Sequence, residues 1–456
     1  MALSSKARRH QAAFEIERLV DDFDNWQDTV QTPQYMTQLL AIASEVRGAA
    51  AILKERLNEQ EGDVTTAEVY SSCVKTERQI TWLWRVYHYY RDKFDQRDDP
   101  RYDKTLLAAD QVIWSCFRPF FEQPQNMLVP EPVPLPYIDA EYSPIALRRA
   151  DAGVLGSKSE HDMIAAAFST LPVPLLKLPV GMIRNPWALI LIGHEAGHFV
   201  MPLVGGDTFI QKFRTTIEDA VGRENSAAWG AWAVEIFCDW YGIITTGPWI
   251  IWAFAQFEVG DMAFMTKRRG VYPAPLVRLH LMAALADRQG LAGSAMMRSL
   301  ALRVPAAGER PDYDADEAAV AGVAEAIVEL PECKALLKTI GFAAADFADG
   351  AGAASQWARH LRGQCAEPVS RQLRSARLVA AGAAEAWNGL VFSVSEPPTE
   401  DVLEELRIRM RKAAIAAAVP GVRASSAATA RADKRPGQIL VDFFAQTAKE
   451  NEGDEV

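Results

Sequence analysis

The chain is short of cysteine: five in 456 residues (Cys73, Cys116, Cys238, Cys333, Cys365), odd in number, scattered, and without a C-x-x-C pair. That scarcity excludes a disulfide scaffold and fits a reducing compartment. Positive charge is also in deficit, with 48 Lys and Arg against 59 Asp and Glu for a formal net charge of −11. General nucleic-acid binding and a lasting hold on an anionic membrane both need a basic surface, so both are disfavoured. The stretch Met1 to Glu15 lacks an apolar core of seven or more residues, and so does not read as a secretory signal. Acidic residues from Glu15 onward favour an ordinary first helix over an organellar transit peptide. Long uncharged runs are scarce. The best membrane candidate, Trp240 to Phe257, has Gly247-Pro248 at its middle and directly follows Asp239, which suits a broken, buried helix pair better than a span. The expectation is a soluble cytoplasmic protein with neither a membrane span nor a nucleic-acid partner.

What is present is enough apolar material, 49% of residues, to bury the cores of two or three domains. Residues 1–122 form an expected N-terminal helical domain. Segments near 9–30, 34–60, 64–95 and 103–121 have apolar residues at three- and four-residue spacing, separated by breakers such as Thr32-Pro33 and Asp98-Asp99-Pro100. The third segment is rich in aromatics (Trp82, Trp84, Tyr87, Tyr89, Tyr90), read as helix packing rather than a stacking platform, with His88 as a buried or half-buried structural histidine. Residues 123–145 are proline-rich and serve as a linker; being extended and apolar, that stretch is also a conceivable built-in occupant of an active site. Residues 146–290 form the expected core domain and 291–420 an alanine-rich C-terminal helical region. A mostly mobile tail follows over 421–456, with a short helix near Gln438 to Ala448.

The core domain contains His194-Glu195-x-x-His198 in W-A-L-I-L-I-G-H-E-A-G-H-F-V. On a helix the two imidazoles lie one turn apart on one face and can bind one zinc ion, while Glu195 can reach a water at the metal. Downstream, Glu235 and Asp239 are again one turn apart, in a segment from Ser226 to Ile244 with no proline and no other charge. Two carboxylates in an apolar helix are costly unless a metal or hydrogen-bond partner takes them up. Glu235 completes a two-His, one-Glu zinc site, and Asp239 holds a ligand histidine through its other ring nitrogen. Asp239 as third ligand remains an alternative that the spacing disfavours. The 37 residues from His198 to Glu235 leave room for one helix and two turns, so the metal helices can be antiparallel neighbours.

H-E-x-x-H followed by E-x-x-x-D resembles the gluzincin class of zinc metallopeptidases. Tyr272 to Leu279, Y-P-A-P-L-V-R-L, is similar to the H-P-P-x-x-x-R segment of the Ste24/HtpX-like peptidases, with Arg278 at the arginine and Tyr272 where that family has histidine. The resemblance spans residues 172–285, about a quarter of the chain. It implies a mainly α fold: a helical zincin-like core with a small β edge element, flanked by helical regions. It implies one Zn²⁺ per chain, peptide or unfolded-protein substrates, and Glu195 as general base. Arg278 is the first choice for stabilising the oxyanion, with Tyr272 or Tyr241 behind it. Residues 172–182 read as one extended strand on whose edge a peptide can pair. Cys238 is read as packing and His280 as a surface or core histidine. Two other readings stand: a catalytically silent, metallopeptidase-like binding or scaffold protein, and a zinc hydrolase of a non-peptide amide. Deformylases typify the latter, but Cys116 in W-S-C-F-R-P-F does not match their cysteine motif.

Overall fold

The computed structural model describes residues 4–30, 35–58, 65–121, 123, 133–140, 142, 144–147, 173–306, 308–348, 350–368, 375–396, 398–417, 437–438 and 441. About half of the proline-rich linker and most of the 421–456 tail, including nearly all of the helix expected near its end, lie outside the described residues.

Among the described residues the fold is mainly helical, with one small sheet. Helices α1 (Ser5–Thr29), α2 (Met36–Asn58), α3 (Thr66–Asp95) and α4 (Asp103–Phe121) follow the apolar spacing of the sequence. At the start of α3, Thr65 accepts from the Glu68 N–H while the Glu68 carboxylate accepts from the Thr65 N–H, satisfying two otherwise orphaned donors. Strands β1 (Leu135–Asp139), β2 (Ile145–Leu147) and β3 (Leu175–Pro179) form a sheet in the order β1-β3-β2. β3 pairs parallel with β1 and antiparallel with β2. The expected edge strand over 172–182 is thus shorter and central, and β2 is the outer strand on that side. Proline is tolerated because Pro179 is the last residue of β3, after which the chain tightens into a 3₁₀ turn at Val180–Ile183.

Among the described residues eleven further α-helices follow: α5 (Ile192–Val221), α6 (Ser226–Thr246), α7 (Trp249–Glu258), the one-turn α8 (Met262–Met265), α9 (Pro275–Arg288), α10 (Gly293–Leu300), α11 (Pro311–Glu329), α12 (Pro331–Ile340), α13 (Ala353–Leu361), α14 (Ala376–Trp387) and α15 (Glu400–Ala416). The uncharged approach to the H-E-x-x-H motif is a 3₁₀ helix, Pro186–Leu191, so α5 begins only two residues before His194. α5 breaks at Gly205-Gly206, where Gly206 has φ +58, close to where Pro202 and the glycine pair predict an end. α6 and α7 are separated at Gly247-Pro248, with Gly247 at φ +76, which divides the apolar run 240–257 into two buried helices. The stretch Pro186–Val221 is long and apolar enough to cross a bilayer by length and composition, with 72% of its most apolar part buried inside the fold.

The interior has two apolar cores. α1, α2 and α3 close on Leu135, Tyr137 and Leu175 of the sheet. α4 joins the helices from α5 onward in the second core, together with Leu176 and Leu178 of β3. The sheet therefore lies between the cores. Tyr87 and Tyr90 are fully buried in the first core, in keeping with the packing expected of the aromatic segment. His88, expected buried or half-buried, is instead exposed and stacks on Trp84 and Tyr87, because its helical position points away from α1 and α2.

Candidate metal centre

α5 and α6 approach closely because small residues line their contact. A Cβ added at Gly197 would lie 2.8 Å from the Cys238 Cα, and one at Gly193 would lie 2.9 Å from Thr246 Cγ2. The close approach brings His194 and His198 of α5 against Glu235, Cys238 and Asp239 of α6. His194 Nε2 is 3.3 Å from Glu235 Oε2, and His198 Nε2 is 3.7 Å from Glu235 Oε1. His194 Nδ1 is 2.8 Å from Asp239 Oδ1, at hydrogen-bonding distance though off the ideal line. Asp239 is gripped at both oxygens by Arg278 of α9, through Nε at 2.8 Å and Nη2 at 2.7 Å. Arg278 Nη1 also donates to Glu258 of α7 at 3.2 Å, and its guanidinium lies 4.4 Å from the Phe254 ring centroid.

Arg278 is 3% exposed and its donors are turned toward carboxylates, so it braces Asp239, which in turn holds His194. Tyr241 is also turned away from the site, its hydroxyl donating to the Cys116 carbonyl at 2.7 Å. Tyr272 does border the site. It sits on a tight turn closed by reciprocal backbone hydrogen bonds with Arg269, both at 3.1 Å, in which Gly270 takes φ +59. Trp232 Nε1 anchors that turn by donating to the Gly270 carbonyl at 3.0 Å. His280 is half-buried and points to Glu317 of α11, 2.7 Å away, rather than to the metal residues.

The cavity in front of these groups is about 190 Å³, lined by Pro144, Glu195, Phe254, Phe257 and Tyr272 among others. Sequence reasoning missed three contributors. Glu258 pairs with Arg269 and Arg278 at the cavity wall; its signal was a lone carboxylate closing a long uncharged run. Phe254 packs its ring against His194 at a centroid distance of 5.2 Å. The Ala146 backbone of β2 hydrogen-bonds the Glu195 carboxylate, a contact no side-chain pattern could announce.

Electrostatics follow from burial. Burial pushes the Glu195 carboxyl up to about 7, against the opposing pull of His194. Burial also opposes ionisation of Asp239, but Arg278 and His194 outweigh it and hold the carboxyl below its ordinary value. Glu235 is likewise held low, burial being outweighed by His194, His198 and Arg278. His194 is driven the other way: burial disfavours its charge, yet Asp239 and Glu235 raise it to about 10. A metal taking its Nε2 must therefore displace a proton.

No protein-family model matches the chain, and neither do the curated proteins or the solved structures it was compared with. The site's chemistry thus rests on its own geometry. His194, His198 and Cys238 each offer a ligand atom, all within 4.8 Å of one another, in a group that can hold a metal ion. Glu235 is the other candidate third donor. Its Oε2 is buried without a well-formed hydrogen bond, with His194 Nε2 at 3.3 Å and Arg278 Nη2 at 3.8 Å, and so keeps the capacity to receive a metal ion. Two donors bound at about 2.0–2.1 Å in a tetrahedron stand roughly 3.3–3.4 Å apart, close to the His194–Glu235 separation. Once His194 gives up its proton to a metal and Glu195 is ionised, Glu195, Glu235, Asp239 and Glu258 outnumber Arg269 and Arg278 by two charges, which a divalent cation balances.

Proposed function

We propose that the protein is a zinc-dependent metallopeptidase, with His194, His198 and Glu235 as ligands. The observation that carries this reading is the convergence of two histidine Nε2 atoms on the Glu235 carboxylate, whose buried Oε2 makes no well-formed hydrogen bond. Zinc, when bound, supplies Lewis-acid polarisation of a carbonyl and makes a water more acidic. Glu195 takes the proton of the attacking water and delivers it to the leaving amine; its position at the cavity wall, held by the Ala146 backbone, suits both transfers. Asp239 and Arg278 act as positioning residues that orient the His194 ring. With the Arg278 donors engaged by carboxylates, Tyr272 is the side chain assigned to the developing oxyanion, and burial keeps its phenol protonated, with a pKa pushed up to about 12.

The substrate fits as an extended peptide laid along β2. That strand pairs only with β3 among the described residues, and its Ala146 backbone already meets Glu195. A cavity of about 190 Å³ holds one side chain, not a folded domain. The test is cleavage of a peptide library by the wild type and by Glu195→Gln. Loss of cleavage with zinc retained is the expected result; equal cleavage by both proteins would end the proposal.

One observation favours a second reading. His194, His198 and buried Cys238 also form a possible three-donor group, which would put a thiolate in the metal's shell and leave Glu235 outside it.

A further inference from the structure

A second cavity, of about 180 Å³, shares no lining residue with the metal centre. It opens between α4, the start of α14 and the end of α15, and its polar wall consists of Gln111, Trp114, Ser115, Arg118, Ser375 and Arg377. Arg377 is 6% exposed. Its Nη1 donates to the Ile340 carbonyl at 2.8 Å, its guanidinium carbon lies 4.3 Å from the Phe342 ring centroid, and its Nε has no acceptor among the described residues. The titratable groups that bear on it are the Cys116 thiol and the Tyr241 phenol, both held neutral by burial. No carboxylate among the described residues pairs with it.

An arginine does not shed its proton in a protein, so this is a standing positive charge taken out of water. Buried charges are ordinarily paired. Trp114 adds a second orphan: its Nε1 is a buried donor without an acceptor, on the same cavity wall. Arg118 brings a further guanidinium to that wall, and Ser375 is the N-cap of α14, whose positive end therefore borders the same space. Water can accept from the orphan donors, but it does not neutralise the charge. At about 30 Å³ per water, the space equals roughly six water volumes, room for a phosphate or a short dicarboxylate together with some water.

We propose that this cavity is a binding site for a small oxyanion, the phosphate or carboxylate group of a low-molecular-weight ligand, held by Arg377 and Trp114 Nε1. The guanidinium fork supplies charge and paired donors, and the indole fixes one oxygen. The site is separate from the proposed zinc chemistry and stands whether or not that chemistry is correct.

The test is calorimetric titration of the full chain with inorganic phosphate and, separately, with succinate, at constant ionic strength. One saturable site per chain is expected for at least one of them, and the preferred anion tells a phosphate-bearing ligand from a carboxylate-bearing one. Trp114→Phe keeps an aromatic ring, smaller than the indole, and removes the donor, and should weaken binding by about tenfold, the worth of one hydrogen bond to a charged group. Arg377→Met should abolish binding. Arg377→Lys, which keeps the charge and loses the fork, serves if the methionine variant does not fold, and should weaken binding. Absence of saturable binding for both anions overturns the proposal, as does binding left unchanged by Trp114→Phe and Arg377→Lys.

Discussion

Gly197→Ala is the perturbation whose consequence can be worked most directly from the structure. The added methyl would sit 2.8 Å from the Cys238 Cα and 3.2 Å from its Sγ, whereas carbon atoms in ordinary contact stand about 3.5–4.0 Å apart. The obstacle is backbone, which does not rotate away, so α5 and α6 must separate by about 1 Å. Overpacking of this kind costs about 1–3 kcal/mol. The larger effect is on the metal, because donor distances tolerate only about 0.2 Å of error. His194 and His198 move with α5 while Glu235 moves with α6, so their separations of 3.3 and 3.7 Å widen together. A loss of metal affinity of at least about 10–100-fold is expected, the range found when supporting contacts of a metal site are removed. The assay is competition against a chromophoric chelator, with thermal melts of the metal-free protein alongside. Gly181→Ala is the control, since nothing lies within 4 Å of the position a Cβ would take there. Unchanged affinity in Gly197→Ala would refute the view that the α5–α6 contact sets the site.

Asp239→Asn should lower metal affinity by about 10–100-fold through loss of the His194 brace, and should lower the melting temperature because Arg278 loses its bidentate carboxylate; a melt and a chelator titration both matching wild type would contradict the assignment. Tyr272→Phe should reduce kcat by about 10²–10³ with KM and metal content unchanged, the effect of deleting one oxyanion donor, and an unaltered kcat would remove Tyr272 from the chemistry. Native-state alkylation followed by mass spectrometry should modify Cys365 alone, since the other four thiols are buried. Burial also pushes Cys116 up to about 12, leaving roughly one part in 10⁴ as thiolate at pH 8. Labelling of Cys116 or Cys333 at a rate comparable to Cys365 would mean the helical core opens readily.

Much of the helical fold was legible because it is written locally. The first four helices and α9 begin and end near the capping and proline signals, and Pro275 opens α9 where a proline at the first helical position belongs. The sheet was less legible: residues 172–182 read as one edge strand, but its true extent, and whether it is central or outer, depend on β1 and β2, whose partners are remote in sequence. Within the site, His194, His198, Glu235 and Asp239 were visible because helical spacing alone puts each pair on one face, and α5 and α6 do bring the two pairs together. The orientation of Arg278 was not visible. A motif fixes where its backbone is, while burial beside Asp239 and Glu258 decided which way its donors turned. The unpaired Arg377 was hidden for the same reason, since a lone arginine in an alanine-rich helix looks solvated until its surroundings are known.

The central claim is that His194, His198 and Glu235 hold one metal ion. It is tested most directly by elemental analysis of the purified wild type, Glu235→Ala, Cys238→Ser and Glu195→Gln. One zinc per chain in the wild type, retained in Glu195→Gln and Cys238→Ser and strongly reduced in Glu235→Ala, is the predicted result. Zinc lost from Cys238→Ser but kept by Glu235→Ala would contradict it in favour of the cysteine-containing site, and a wild type that takes up no zinc even when supplied would contradict it outright.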